Sequence, residues 1–147
     1  MAQVVVQTER LVAASPQRVH AFLADYQNNR PRILSPEYFR DYRVERGGDG
    51  AGTVISYRLR AGGRERPYRM RVEEPNESGL LIERDIDSSL VTTWALTPAE
   101  GGERTLVSLM SRWEGTGGIG GFFERIFAPR ALRRIYDEVL EKLSATV

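Results

Sequence analysis

The sequence predicts an α+β domain, a curved antiparallel sheet of about seven strands wrapped around one long C-terminal helix. Three observations predict it. Between Ile119 and Ser144, Phe122, Ile126, Leu132, Ile135, Tyr136, Val139 and Leu143 recur at steps of three and four, one apolar stripe of an α-helix. Most of the chain before that helix alternates apolar and polar residues with period two. The alternating segments are joined by short turn-like connections, which makes neighbouring strands antiparallel. A helix with a single apolar stripe must bury it, and after a series of strands the partner is a sheet. A sheet that curls around the helix leaves a cavity between them, and any function is expected there.

Taken in order, Gln3 to Ala14 is rich in β-branched residues and suits a strand. Ser15-Pro16 then starts a short helix, Ser as cap and Pro at the first helical position. Val19, Phe22, Leu23 and Tyr26 form its buried stripe. Gln27 to Pro36 holds turn formers and two prolines, leaving space for at most one further helical turn. Tyr38–Arg46, Thr53–Arg60, Arg64–Glu73, Leu80–Asp87, Leu90–Thr97 and Arg104–Glu114 read as successive strands, linked by GGDGAG, AGG, EPNESG, DSS and PAEGG. Pro129 falls inside the final helical pattern, where it removes a backbone hydrogen bond and is expected to kink the helix beside Phe123 and Phe127.

With 147 residues, 41% hydrophobic and 28% charged, the chain fits one globular domain spanning 1–147. A net charge of +1 argues against an electrostatic nucleic-acid binder. Its basic residues are nearly all Arg, Lys142 being the only Lys, which is read as genome composition first. Without Cys there are no disulfides or thiolate metal sites, and the single His20 rules out a multi-His metal site and most Ser-His relays. No cofactor or metal is expected. A secretory h-region and a long apolar run are both missing, so no integral membrane segment and a cytoplasmic location are expected.

Matching apolar parity across each hairpin gives a register. Ile55, Tyr57 and Leu59 then face inward with Tyr68, Met70 and Val72. The same face continues through Leu80, Ile82 and Ile86, then Leu90, Trp94 and Leu96, then Val107, Leu109 and Trp113. The opposite face collects Arg58, Arg60, Arg69, Arg71, Glu73, Glu83, Asp85 and Arg112 and is expected to be wet. Arg84 shares the parity of Ile82 and Ile86, which points a guanidinium at the apolar side. It needs water, a carboxylate such as Glu138, or a ligand. Candidate polar anchors of a greasy pocket are therefore Arg84, Tyr57, Tyr68 and Thr92. Apolar lining is expected from Met70, Ile82 and Leu109 and from Trp94 and Trp113. The helices add Phe22, Tyr26, Phe123 and Phe127, although a plain core would use the same aromatics.

Neither glycine-rich stretch is a phosphate cradle. Gly47–Gly52 sits between antiparallel strands, and Gly115–Gly121 lacks the following Lys-Ser/Thr pair, which makes it a joint or portal loop. His20 lies beside its helix's buried stripe and is expected at the surface. There is no evident carboxylate dyad.

The Ser-Pro-x-x-Val-x-x-Phe-Leu-x-Asp-Tyr block at Ser15–Tyr26, the strand LVTTWALTP at Leu90–Pro98 and the helix GGFFERIFAPRALRRIYDEVLEKL together carry a resemblance. The chain resembles, over essentially its whole length, the polyketide cyclase/dehydrase-like branch of the START-like (SRPBCC, Bet v 1-like) superfamily. That likeness implies a helix-grip fold, two short helices after the first strand, and a hydrophobic cavity between helix and sheet. It supplies no catalytic motif to carry onto numbered residues. The expectation is a bacterial protein, monomer or homodimer, that binds a small hydrophobic molecule such as a lipid, isoprenoid or aromatic or polyketide-like metabolite. An aromatase/cyclase or dehydrase acting in the same cavity, with Arg84 on an enolate oxygen and Tyr57 or Tyr68 moving a proton, is the first alternative. An interaction module using the Arg-rich outer face, without a small-molecule ligand, is the second.

Overall fold

The computed structural model describes residues 3–75, 79–114 and 129–147. Strand β1 (Gln3–Val12) leads into helix α1 (Pro16–Ala24) and a 3-10 turn at Arg30–Ile33. Strands β2 (Phe39–Arg46), β3 (Val54–Ala61), β4 (Arg64–Glu73), β5 (Leu80–Asp85), β6 (Val91–Ala99) and β7 (Arg104–Glu114) follow, and helix α2 (Pro129–Thr146) closes the chain. Phe123, Phe127, the Gly115–Gly121 loop and the expected kink ahead of Pro129 lie outside the described residues.

All seven strands form one antiparallel sheet in the order β1-β7-β6-β5-β4-β3-β2. Strands β2 to β7 meander, as their short connections require, and β1 returns to pair along the whole of β7. Helix α2 lies across the concave face with Leu132, Ile135, Val139, Leu140 and Leu143 buried against it. Asp137 on α2 accepts a hydrogen bond from Thr8 of β1, which fixes the helix over that edge.

Ser15 caps α1 as its sequence predicts, its hydroxyl accepting from Arg18 N at 3.3 Å with Pro16 opening the helix. The far end of α1 is clamped by the glycine-rich β2–β3 turn. Tyr26 N donates to Gly48 O and Gly50 N donates to Ala24 O, both at 2.9 Å. Gly50 adopts φ +62°, a left-handed conformation that glycine takes without a Cβ penalty. That turn holds Tyr26 in place at the end of α1.

Candidate functional site

Strand β5 decides the site. Its residues LLIERD allow two facings: Leu80 and Ile82 inward carry Arg84 with them, whereas Leu81 inward carries Glu83 and Asp85. The structure takes the second, with Leu81, Glu83 and Asp85 buried and Leu80, Ile82 and Arg84 only partly covered. Arg84 and Ile82 therefore leave the cavity lining, Ile86 is exposed, and Glu83 and Asp85 leave the wet face. On the outer surface Arg84 Nε donates to Glu73 Oε2 at 3.0 Å, with 42% of its side chain exposed. Partners explain the choice, since a buried charge is tolerated only when paired and hydrogen-bonded. Asp85 accepts from Arg69 N at 2.9 Å and from the Ser88 hydroxyl at 2.6 Å, closing the β5–β6 turn. Glu83 meets a cation. Arg84→Ala is expected to leave ligand affinity unchanged and to shift stability by less than about 1 kcal/mol, read by calorimetry and urea unfolding.

The cation is Arg30, only 2% exposed, carried in by the 3-10 turn that ends α1's connection. Its Nη1 donates to Glu83 Oε2 at 2.7 Å, while Nε and Nη2 donate to Leu23 O at 3.2 and 2.9 Å. The guanidinium lies 4.3 Å from the Tyr26 ring centroid and 4.8 Å from that of Trp94, covered on both by aromatic faces. Tyr26 Oη also donates to Glu83 Oε2, at 2.6 Å, and Tyr42 Oη donates to Tyr26 O at 2.8 Å. Burial alone would lower the Arg30 pKa; the adjoining Glu83 carboxylate outweighs it and holds the guanidinium above its ordinary value.

A second polar row runs from the same point. Glu83 pairs across the strands with Thr92, and Thr92 with Ser111. The Thr92 and Ser111 hydroxyls are 2.6 Å apart, and Ser111 Oγ is 2.5 Å from Tyr136 Oη on α2. Tyr136 thus reaches down from the helix and divides the space between helix and sheet into two compartments. The larger, a cavity of about 30 Å³, has Arg30, Glu83, Thr92, Tyr57 and Trp94 among apolar walls of Phe39, Ile55, Leu109 and Val139. The smaller, about 10 Å³, lies between Tyr68, Trp113, Leu132 and Tyr136. Both are nearly filled by the side chains that line them, with space for about one water each. The indole N–H groups of Trp94 and Trp113 are buried and find no hydrogen-bond acceptor among the described residues.

Burial pushes the hydroxyls of Tyr26, Tyr57 and Tyr136 above the ordinary tyrosine pKa, and that of Tyr42 likewise. Near neutrality these groups are donors, not bases. The folded state keeps protons that unfolded tyrosines release near pH 10, so this stability is complete below that pH and is lost above it. Urea unfolding is expected to show a loss of about 1.4 kcal/mol per such tyrosine per pH unit above about pH 10, and a flat alkaline profile would refute the burial.

Of the residues that parity placed on the inner face, Tyr57, Thr92, Trp94 and Leu109 share the larger compartment, and Tyr68 and Trp113 the smaller. Phe22, Tyr26 and Met70, expected in the lining, are core residues that wall neither compartment, and Tyr26 reaches the larger one only through its bond to Glu83. Sequence reasoning missed Arg30 and Glu83 altogether and read Tyr136 only as helix stripe. The available signal for Glu83 was that its outward rival facing demanded a lone inward arginine. His20 lies at the surface on Glu74 Oε1, 2.5 Å away. Among the described residues, no three His, Asp or Glu side chains are grouped to hold a metal, and no helix is long and apolar enough to cross a membrane.

Residues 3–147 match the family described as polyketide cyclase / dehydrase and lipid transport. Comparison with curated proteins gives no match. The KanY protein, solved in solution by NMR, is 43% identical over 99% of this chain and 97% of its own, with a TM-score of 0.84. Norcoclaurine synthase from Thalictrum flavum, in complex with dopamine and hydroxybenzaldehyde, is 16% identical over 99% of this chain and 89% of its own, with a TM-score of 0.69. Zhui aromatase/cyclase from Streptomyces sp. R1128 is 19% identical over 98% and 88%, with a TM-score of 0.65. At their low identities the last two share the fold alone.

Proposed function

Because the chain belongs to the polyketide cyclase/dehydrase and lipid-transport family, we propose that it binds a small, mostly apolar molecule between α2 and the concave sheet. The observation that carries this reading is Trp94. It walls the larger compartment while its indole N–H stays buried without an acceptor among the described residues. An unmet buried donor costs about 1–3 kcal/mol, a deficit that an occupant with an acceptor atom would relieve. Apolar walls with a few fixed polar groups are also the usual make-up of a small-molecule site. Since the compartments are nearly filled, an occupant is accommodated by moving side chains, Tyr136 foremost because it walls both.

Turnover has less support. Arg84, the cation expected on an enolate oxygen, faces outward, and Arg30 within is engaged by Glu83 and the Leu23 carbonyl. Burial and the nearby Glu83 carboxylate keep Tyr57 protonated, a donor and not a base near neutrality. On the outer face, Arg58, Arg69 and Arg84 pair with Glu65, Glu45 and Glu73, which reduces their pull on an anionic surface. Both tryptophans of the chain wall the compartments, so ligand entry is expected to give a saturable change in their emission. A panel of fatty acids, isoprenols and aromatic alcohols that produced no saturable change, and no complex in native mass spectrometry, would overturn the reading.

A further inference from the structure

The floor of the larger compartment carries one full positive and one full negative charge, yet the two are not equally available to an occupant. Arg30 is the more heavily engaged. Aromatic rings flank it, and three of its five N–H donors are spent on Leu23 O and Glu83. Glu83 is only half used, because both Tyr26 Oη and Arg30 Nη1 end on Oε2. Its other oxygen, Oε1, has no hydrogen-bond partner among the described residues, and Glu83 lines the compartment. Trp94 opposes Leu81 on β5, so Glu83 and Trp94 are diagonal neighbours on one face of adjacent strands. This end of the cavity thus pairs a spare anionic acceptor with a spare neutral donor, the indole N–H.

Resting on the binding reading above, we propose that the cavity selects neutral molecules bearing a hydroxyl group, phenols or alcohols, and excludes carboxylates of the same shape. A hydroxyl can donate to Glu83 Oε1 and accept from Trp94 Nε1, whereas a carboxylate has nothing to donate and meets a like charge already desolvated. The Arg30 charge offsets this only in part, because it is already shared with Glu83 and Leu23 O.

The test uses three probes of one shape, β-naphthol, naphthalene and β-naphthoate, titrated at neutral pH by calorimetry. Naphthol is expected to bind about tenfold tighter than naphthalene, the worth of one charge-assisted hydrogen bond, and naphthoate weaker than either. In Glu83→Gln the carboxylate is gone and Arg30 is uncompensated, so the order of naphthol and naphthoate is expected to reverse. Should that variant fail to fold, the Arg30→Met/Glu83→Leu double variant replaces the pair by apolar groups, and the preference for naphthol over naphthalene is expected to vanish. Naphthoate binding as tightly as naphthol to the unaltered protein, or a double variant that still prefers naphthol, would overturn the selectivity while leaving the binding reading intact. If none of the three probes binds, naphthalene included, the binding reading itself fails and the selectivity falls with it.

Discussion

Glu83→Ala is expected to destabilise the fold by about 3–5 kcal/mol, because it strands a desolvated guanidinium. Arg30 is 2% exposed and held in place by the Leu23 carbonyl, so it cannot swing out to water without unmaking the 3-10 turn. Tyr26 loses the acceptor of its hydroxyl in the same stroke. The Arg30→Met/Glu83→Leu double variant is expected to recover most of the loss, since a buried ion pair replaced by apolar groups of similar volume is often neutral or better. Contrast makes the point sharper: Arg58→Ala, which breaks an exposed pair with Glu65, is expected to cost less than about 1 kcal/mol. Urea unfolding followed by tryptophan emission measures all three. A Glu83→Ala variant within about 1 kcal/mol of the parent would mean that the network does not organise the floor of the cavity.

The same network shows where local sequence runs out. Period two and the turn residues placed β2 to β7, because those signals are written within each hairpin, and β-branched content placed β1. Ser15-Pro16 placed α1 for an equally local reason. In β5, however, Leu80, Leu81 and Ile82 are apolar in succession, so alternation does not choose a face. Counting apolar residues favoured the parity of Leu80, Ile82 and Ile86, and brought Arg84 inward with them. What decides the facing is a partner 53 residues earlier, in a proline-rich connection that reads as mere loop. Tyr57, Thr92, Trp94 and Leu109 were legible because their strands alternate cleanly. Arg30 was not, since its burial depends on Glu83 and on two aromatic faces that only the folded chain assembles.

Val139→Phe is expected to abolish binding, lowering affinity for naphthol at least about a hundredfold, while changing stability by no more than about 1–3 kcal/mol. Val139 is buried on α2 and walls the larger compartment, so a phenyl ring there occupies space that the ligand needs. The ring overfills a cavity of about 30 Å³, which sets the modest stability cost. Leu140 supplies the opposite case one step around the same helix. It is 1% exposed and part of the core but does not wall either compartment. Leu140→Ala is therefore expected to cost about 2–5 kcal/mol of stability and leave the affinity of the folded fraction unaltered. The pair of variants separates a filled cavity from a weakened fold: in one the affinity is lost while the fold is only modestly weakened, in the other the fold is weakened while affinity is kept. Affinity that survives Val139→Phe would place the ligand somewhere other than between α2 and the sheet.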